Sequence, residues 1–325
     1  MNVLITGGFG CIGSWLSREL VRQNIKVYIY DLREDRRRMR LIMEESEYFQ
    51  PQFVSGDITD GQRLFEVCQQ YAITHIVHLA ALQVPLCRAD PIRGATVNVL
   101  GTLVVFETIR KLAGQIQNLV YASSAAVYGE PSAYDLDGDL DESLPLRPTT
   151  HYGAYKVCNE LSARAYFLEH GIASIGLRPW TVYGVGRDFG MTSEPTKAIL
   201  AAALGKPYRI SYGGSQDFQF AQDVARAFVR CLEHPAQEAV VYNLRGTVAD
   251  MATFHRLLTQ VAPQAAELIT YGERQLPIAY RLSDHRFQRD YGPLPVTPLA
   301  EGIRQTFERF RVLAQSGSVT EADLA

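Results

Sequence analysis

Residues 6–13 read Thr6-Gly7-Gly8-Phe9-Gly10-Cys11-Ile12-Gly13, between an apolar run at 3–6 and an amphipathic run at 10–23. The first run has the length and β-branched character of a buried strand, and the second places Ile12, Leu16 and Leu20 on one helical face. Glycines at 7, 10 and 13 permit a tight turn, close approach of a ligand's phosphates to the backbone, and close packing of helix on strand. The helix then begins with free N–H groups and a partial positive charge, a receptor for a pyrophosphate. The backbone of Gly7, Phe9, Gly10, Cys11, Ile12 and Gly13 is therefore expected to cradle a dinucleotide.

Outward from this turn the alternation continues. Strands are expected at 27–30, 53–54, 75–79, 119–123 and 174–177, with helices at 61–71, 97–112 and 152–169 between them. Strands separated by helices imply right-handed crossovers and a doubly wound parallel α/β sheet covered on both faces. Beyond about residue 180 prolines break the rhythm; helices are expected at 195–204, 223–233, 253–261 and 299–313, with one more buried strand at 240–244. The expected division is a nucleotide-binding domain of residues 1–178, to which 215–245 return, and a smaller carboxy-terminal α/β substrate lobe of 179–214 and 246–313. Residues 314–325 are small and polar and are expected to fray.

Asp31 ends the strand at 27–30, eighteen residues past Gly13. A carboxylate there accepts hydrogen bonds from ribose hydroxyls and repels a 2′-phosphate, which favours NAD over NADP. Arg33, Arg36, Arg37, Arg38 and Arg40 follow and offer a competing grip for a 2′-phosphate. Interspersed Glu34, Asp35, Glu44, Glu45 and Glu47 instead suit a solvated helix face.

With 47% hydrophobic and 21% charged residues and a net charge of −3, nothing draws the 325-residue chain as a whole to nucleic acid or an anionic membrane. There is no leader-like segment and no run of about 18 apolar residues, so a cytoplasmic location is expected. The five cysteines form no close pair, which suits reduced thiols rather than a disulfide framework or a zinc site. His75 and His78, three apart in a strand, face opposite sides, and no metal site is expected. His151 reads as a loop histidine, and Trp180 and Phe189 as pocket wall or core.

Tyr152 and Lys156 are four apart on an expected helix and share a face. An ammonium beside a phenol favours the phenolate, the form that works as a general base. Alone, that pair is a weak sign. Ser124, in Ser123-Ser124-Ala125-Ala126-Val127-Tyr128-Gly129, lies at the carboxyl end of an expected strand, where open α/β sheets bind ligands. Glycine turn, strand-end serine and helical Tyr–Lys pair, in this order, point to hydride transfer at an alcohol carbon.

The chain resembles the extended short-chain dehydrogenase/reductases, the NAD-dependent epimerase/dehydratase family. The resemblance rests on Thr6–Gly13, Ser123–Gly129 and the Tyr152–Lys156 pair, and extends over Gly56-Asp57-Ile58, His78-Leu79-Ala80-Ala81, Asn98-Val99-Leu100-Gly101-Thr102, Leu177-Arg178-Pro179, Val182-Tyr183-Gly184 and Asp217-Phe218, roughly residues 1–310. It implies a Rossmann-type fold with Ser124, Tyr152 and Lys156 catalytic, and Asp57, Ile58, Leu79, Ala80, Ala81, Asn98 and Pro179 beside NAD. It also implies a homodimer that pairs the helices at 97–112 and 152–169.

The family pattern breaks at several places. Acidic residues that serve elimination in dehydratases are replaced by Ala125 and Ala126, which argues against dehydration. The diphosphate-binding arginine of nucleotide-sugar members is Gln216 here, and Arg274 resembles a second such arginine. Thr181 with Arg187 resembles members acting on UDP-glucuronate and implies a substrate carboxylate, with Ser124 and Ala125 also at the substrate. The expected activity is epimerisation of an acidic or nucleotide sugar through a transient keto form. Net dehydrogenation of a free sugar or sugar acid is the alternative, and a non-catalytic NAD sensor a third reading.

Overall fold

The computed structural model describes residues 1–134 and 138–325. Twelve strands run in chain order: β1 Asn2–Thr6, β2 Lys26–Asp31, β3 Gln52–Ser55, β4 His75–His78, β5 Asn118–Ala122, β6 Ser174–Arg178, β7 Thr181–Tyr183, β8 Tyr208–Ile210, β9 Ser215–Phe220, β10 Ala239–Asn243, β11 Thr247–Asp250 and β12 Ile269–Tyr271. Seven of them form one parallel sheet in the order β10-β6-β5-β4-β1-β2-β3. Their apolar runs are buried on both faces, with Val3, Leu4, Ile5, Ile76, Val77 and Val120 fully enclosed. The strand order reverses between β1 and β4, so the crevice beyond their carboxyl ends is where a ligand is expected.

The helix expected from residue 97 begins earlier. Asp90 caps it by accepting from the Arg93 N–H (2.9 Å), Pro91 occupies the first turn, and a π-helical turn at Thr96–Leu100 leads into Gly101–Lys111. As one helix, Pro91–Lys111 is long and apolar enough by length and composition to cross a membrane, although polar and charged residues interrupt its apolar run. In this fold Val105, Phe106 and Ile109 are buried against the sheet.

The rest of the chain holds strands that periodicity did not reveal. β7, β9 and β11 form a three-stranded sheet, with β7–β9 parallel and β9–β11 antiparallel, and β8 pairs with β12. Residues 215–220 thus belong to this smaller sheet, while the return to the large sheet is made by β10 and by the helix Ala221–Glu233, which packs on the first helix, Cys11–Arg22.

The expectation of a frayed tail is corrected. The last helix runs Leu299–Gln315, and beyond it Val319 is buried beside Leu41, Leu200 and Phe310. A reciprocal cap between Thr320 and Asp323 shapes the final turn, which Arg37 pairs with through Asp323. One apolar anchor and one cap suffice to order a segment whose composition is otherwise polar.

Candidate active site

The turn after β1 leads directly into the helix Cys11–Arg22, whose N-terminus has no side-chain cap. A Cβ on Gly13 would lie 2.6 Å from the Gly8 carbonyl oxygen, so only glycine lets the helix approach the turn this closely. Gly10, Cys11, Ile12 and Gly13 line a cavity; the Gly10 amide is used inside the turn, donating to the Gly7 carbonyl (3.0 Å), and the helix N-terminus that follows has no side-chain cap. Phe9 is buried, and its N–H points to the Asp31 carboxylate (3.4 Å), which also accepts from Leu32 (2.9 Å). Burial raises the Asp31 carboxyl above its usual range, and these backbone donors work against that rise. A cradle without side chains, ending at a carboxylate, fits the pyrophosphate and ribose of NAD.

The neighbouring residues divide between wall and support. Leu79, Ala81 and Pro179 line the cavity. Ala80 packs behind Gly7 and donates to the Thr6 hydroxyl (3.3 Å). Exposed Asp57 accepts from the Thr59 amide and hydroxyl (2.9 and 2.8 Å), and buried Ile58 packs against Gly101. Asn98, expected at the cofactor, lies off the wall. From the π-helical turn its carboxamide clamps Leu82, accepting from its N–H (2.7 Å) and donating to its carbonyl (2.9 Å). It thereby braces the segment that carries Gln83 into the cavity.

Most of the arginines after Asp31 are engaged. Arg36 donates to Glu34 and to the Tyr48 and Pro51 carbonyls. Arg37 pairs with Asp188 and Asp323, and Arg38 with Asp188. Arg40 lies over the Tyr48 ring, and Arg33 is exposed.

Ser124, Tyr152 and Lys156 converge on the cavity. Thr150 caps the helix His151–His170 by accepting from Gly153 (3.0 Å), which points Tyr152 and Lys156 toward the end of β5. Lys156 is buried and donates to the Ala122 carbonyl (2.6 Å), with its ammonium 5.6 Å from the centre of the Tyr152 ring. Burial pushes the Lys156 ammonium down to about 8. Burial also raises the Tyr152 phenol, while a hydrogen bond from Ser124 and the charge of Arg187 pull it back toward ionisation. The Ser124 hydroxyl is itself oriented by the Ala126 N–H (3.1 Å), and Ala125 and Ala126 form apolar wall beside it.

Below the trio lies a support that sequence reasoning missed. Glu160, one turn past Lys156, is buried, pairs with Arg178 (2.7 Å) and accepts from Ser123. Arg178 also donates to the Tyr128 hydroxyl (2.6 Å). This fixes the helix to the ends of β5 and β6. The signal was present: Tyr152, Lys156 and Glu160 follow at i, i+4 and i+8 on one helical face.

The opposite wall contains Gln83, Trp180, Arg187, Met191, Thr192 and Ile278. Of the residues expected at substrate, Arg187 is there, donating to Thr192 (3.0 Å) and facing the Gln83 carboxamide oxygen (3.2 Å), whose nitrogen meets the Phe189 carbonyl (3.2 Å). The buried Arg187 Nε has no partner among the described residues. Thr181 is not on this wall; it is fully buried and donates to Gln216 (3.1 Å). Arg274 is exposed and also absent from the wall. Phe189 and His151 are exposed, and His78 is a buried core residue bonded to Thr6 (2.7 Å) and Thr102 (3.0 Å). No group of three metal-ligating side chains occurs among the described residues. The loop carrying Arg187 holds Gly184, Gly186 and Gly190 at φ of 125°, 91° and 99°, a path that other residues rarely take.

Comparison with known proteins agrees with this arrangement. The model of the NAD-dependent epimerase/dehydratase family matches residues 3–244. A UDP-glucose 4-epimerase of Mycolicibacterium smegmatis is 33% identical, covering 97% of this chain and all of that protein. The structure of Thermus thermophilus UDP-glucose 4-epimerase with NAD superposes with a TM-score of 0.79 at 25% identity, over 96% of this chain and 99% of that one. MoeE5 in complex with UDP-glucuronic acid and NAD gives a TM-score of 0.80 at 25% identity, over the same shares.

Proposed function

The chain belongs to the NAD-dependent epimerase/dehydratase family and is an NAD-dependent enzyme of the extended short-chain dehydrogenase/reductase type; from that premise we propose that it is a sugar epimerase working through a transient keto form of its substrate. The observation that carries this reading is the convergence of Ser124, Tyr152 and Lys156 on one cavity beside the glycine turn. The glycine turn and Asp31 would hold NAD, which would supply reversible hydride transfer at the alcohol carbon. Tyr152, as phenolate, removes the hydroxyl proton and returns it after the sugar has turned its other face. Lys156 stabilises the phenolate, and Ser124 donates to the reacting oxygen. Ala125 and Ala126 cannot move a proton, which speaks against dehydration. NAD is preferred to NADP in this reading, supported by Asp31 ending β2 beside the glycine turn, where its carboxylate accepts from Phe9, and by Arg36, Arg37 and Arg38 being committed elsewhere.

Net dehydrogenation of a free sugar or sugar acid is the second reading. It is favoured by the neutral, buried Gln216 and by Arg274 lying outside the cavity. A homodimer is proposed as the working form, supported by Ile92, Leu100, Leu161 and Leu168, which expose apolar side chains on the two long helices.

NAD per chain, released from freshly purified protein by denaturation, tests the cofactor reading, and product analysis without added oxidant tests epimerisation. Near-stoichiometric NAD with interconversion of epimers is expected, abolished by Tyr152→Phe. Product formation matched mole for mole by NADH would replace epimerisation with dehydrogenation, and unchanged turnover in Tyr152→Phe would end the catalytic assignment.

A further inference from the structure

We propose that Asp217 is a positioning residue for the reacting turn: through Gln219 it holds the Pro179–Trp180 peptide, and through that peptide the turn that presents Ser124. The inference rests on the reading above that Ser124 acts on the reacting oxygen.

The hydrogen bonds between the two ends are continuous. Ser124 stands at the head of a short 3₁₀ turn, Ala125–Val127, and its hydroxyl is oriented by the Ala126 N–H. The first amide of that turn, the Ala125 N–H, donates to the Pro179 carbonyl (3.0 Å). On the far side of the same trans peptide, the Trp180 N–H donates to Gln219 Oε1 (3.0 Å). Gln219 Nε2 then donates to Asp217 Oδ2 (2.7 Å) and to the Leu244 carbonyl (2.8 Å). Asp217 Oδ1 ends the series by accepting from the Gly246 N–H (2.8 Å). Ala125, Pro179 and Trp180 line the cavity, whereas Asp217 and Gln219 are buried two residues apart on β9. That spacing puts both side chains on one face of the strand.

Each link sets the direction of the next. A carboxamide has one accepting end and one donating end. With both hydrogens of Gln219 given to acceptors, its oxygen is left to face Trp180. The peptide between Pro179 and Trp180 is planar and stiff, so a shift at its N–H is felt at its carbonyl. Buried hydrogen bonds that point the same way polarise one another, and a charge at the end strengthens the last of them.

A second observation is the burden of keeping that charge. Asp217 is fully buried, and no cation pairs with it among the described residues. The charged groups that act on it are Arg245, just after β10, and Asp284, at the head of the helix His285–Tyr291. Arg245 is itself paired with Asp139, and Asp284 holds Gln288 (2.9 Å). On the neighbouring strand β11 the residue opposite Asp217 is the apolar Val248. Burial pushes the Asp217 carboxyl up to about 7, and the bonds from Gln219 and Gly246 offset only part of that rise. Between the ordinary carboxyl range and about pH 7 the folded chain holds a proton that the unfolded chain has lost. Stability therefore falls as pH rises across that window. The ionised form weakens the fold, and what it supplies is two acceptor oxygens for two N–H donors. Protonation turns one of those oxygens into a donor facing a donor, and loosens the hold on Gln219 or Gly246. The wall beside Ser124 is accordingly set firmly above about pH 7 and relaxes below it.

The test is heteronuclear NMR of the NAD-loaded full chain carrying carbonyl-¹³C proline and ¹⁵N tryptophan. Pro179-Trp180 is the one Pro-Trp step in the sequence, so one signal reports both bonds. The carbonyl carbon senses Ala125, and the amide senses Gln219. From mildly acid to mildly alkaline pH, both shifts are expected to move in a single transition centred near 7. Asp217→Asn is expected to abolish it, and so is Gln219→Leu, which leaves the carboxylate in place and cuts the series; either variant suffices if the other fails to fold. Shifts that stay still in the unaltered chain overturn the proposal, as does a transition that survives in a folded variant. An amide that moves while the carbonyl stays fixed ends the series at Trp180 and overturns the link to Ser124. The reacting phenol gives the second readout, because a hydrogen bond from Ser124 pulls Tyr152 toward ionisation. Tyrosinate absorbance, taken as the difference from the same protein carrying Tyr152→Phe, is expected to appear at higher pH in Gln219→Leu. An unmoved ionisation overturns the positioning role. Neither readout needs a substrate, so unchanged turnover in Tyr152→Phe sinks the catalytic reading alone and leaves this series of bonds standing.

Discussion

Arg38 and Asp188, 150 residues apart, form a two-point ion pair in which Nη2 and Nε of the arginine lie 2.7 and 3.0 Å from the same carboxylate oxygen. The third nitrogen of Arg38 donates to the Phe9 carbonyl (3.0 Å), inside the glycine turn. A single guanidinium therefore joins the cofactor cradle to the loop that presents Arg187, and keeps Asp188 from neutralising its neighbour.

Arg38→Ala should release this loop. Losing charge-assisted bonds of ~1.5–3 kcal/mol predicts a rise of about tenfold or more in KM, since 1.4 kcal/mol is a factor of ten, with kcat little changed. Arg38→Lys should not rescue it, because lysine lacks the fork. Steady-state kinetics read the split, and an unaltered KM would remove Arg38 from any positioning role.

Glu160→Gln should destabilise the fold more than it alters chemistry directly. Breaking one side of a buried ion pair leaves Arg178 uncompensated, at a cost of ~3–5 kcal/mol. Replacing both, as Glu160→Gln with Arg178→Met, should cost less than the sum of the single changes. Urea unfolding of the three variants measures this, and strict additivity would show that the pair is not coupled.

The pH dependence of kcat/KM should have limbs of opposite sign. The falling limb lies above about pH 8, where Lys156, pushed down to about 8 by burial, loses its proton; burial also raises Tyr152 above the usual phenol range, so a rising limb below that pH requires the positive charges of the loaded site to bring the phenolate down. Since the positive charge of Arg187 lowers the Tyr152 pKa, Arg187→Gln should move the rising limb to higher pH. A limb that stays in place would mean that Arg187 does not act on the reacting phenol.

Leu161 and Leu168 are 60% and 70% exposed on the helix that carries Tyr152 and Lys156. Replacing both with glutamate should convert a dimer into a monomer while retaining helical content by circular dichroism. Light scattering reads the mass, and a monomeric mass for the unaltered chain would refute the dimer outright.

The sequence reading reached the elements with strong periodicity and the site positions with local chemistry. Gly13, Ser124, Tyr152 and Lys156 were visible because a turn, a strand end and a helical spacing each constrain residue type. Thr181 and Arg274 were misjudged because their motif positions say nothing of direction. On a three-residue strand Thr181 turns into the smaller sheet, and Arg274 lends only its carbonyl to Gly213. Trp180 was expected as pocket wall or core and lies on the wall, whereas Ile278, 98 positions further along the chain, could be placed beside it only in three dimensions. Asn98, expected beside the cofactor, has its carboxamide engaged by the Leu82 main chain, a contact that its motif position does not announce.

The three left-handed glycines of the Arg187 loop have a consequence for descent rather than for catalysis. They set the route of the main chain around position 187, while Val185 and Asp188 anchor it on either side. Positions 187 and 189, unlike buried Val185 and the ion-paired Asp188, can therefore vary while the loop keeps its course. A lineage could exchange the residue at 187 and test a new substrate in a single mutational step, with the scaffold already in place. Change at that point is in that sense separable from foldability, and a library restricted to those two positions is the compact place to look for altered appetite.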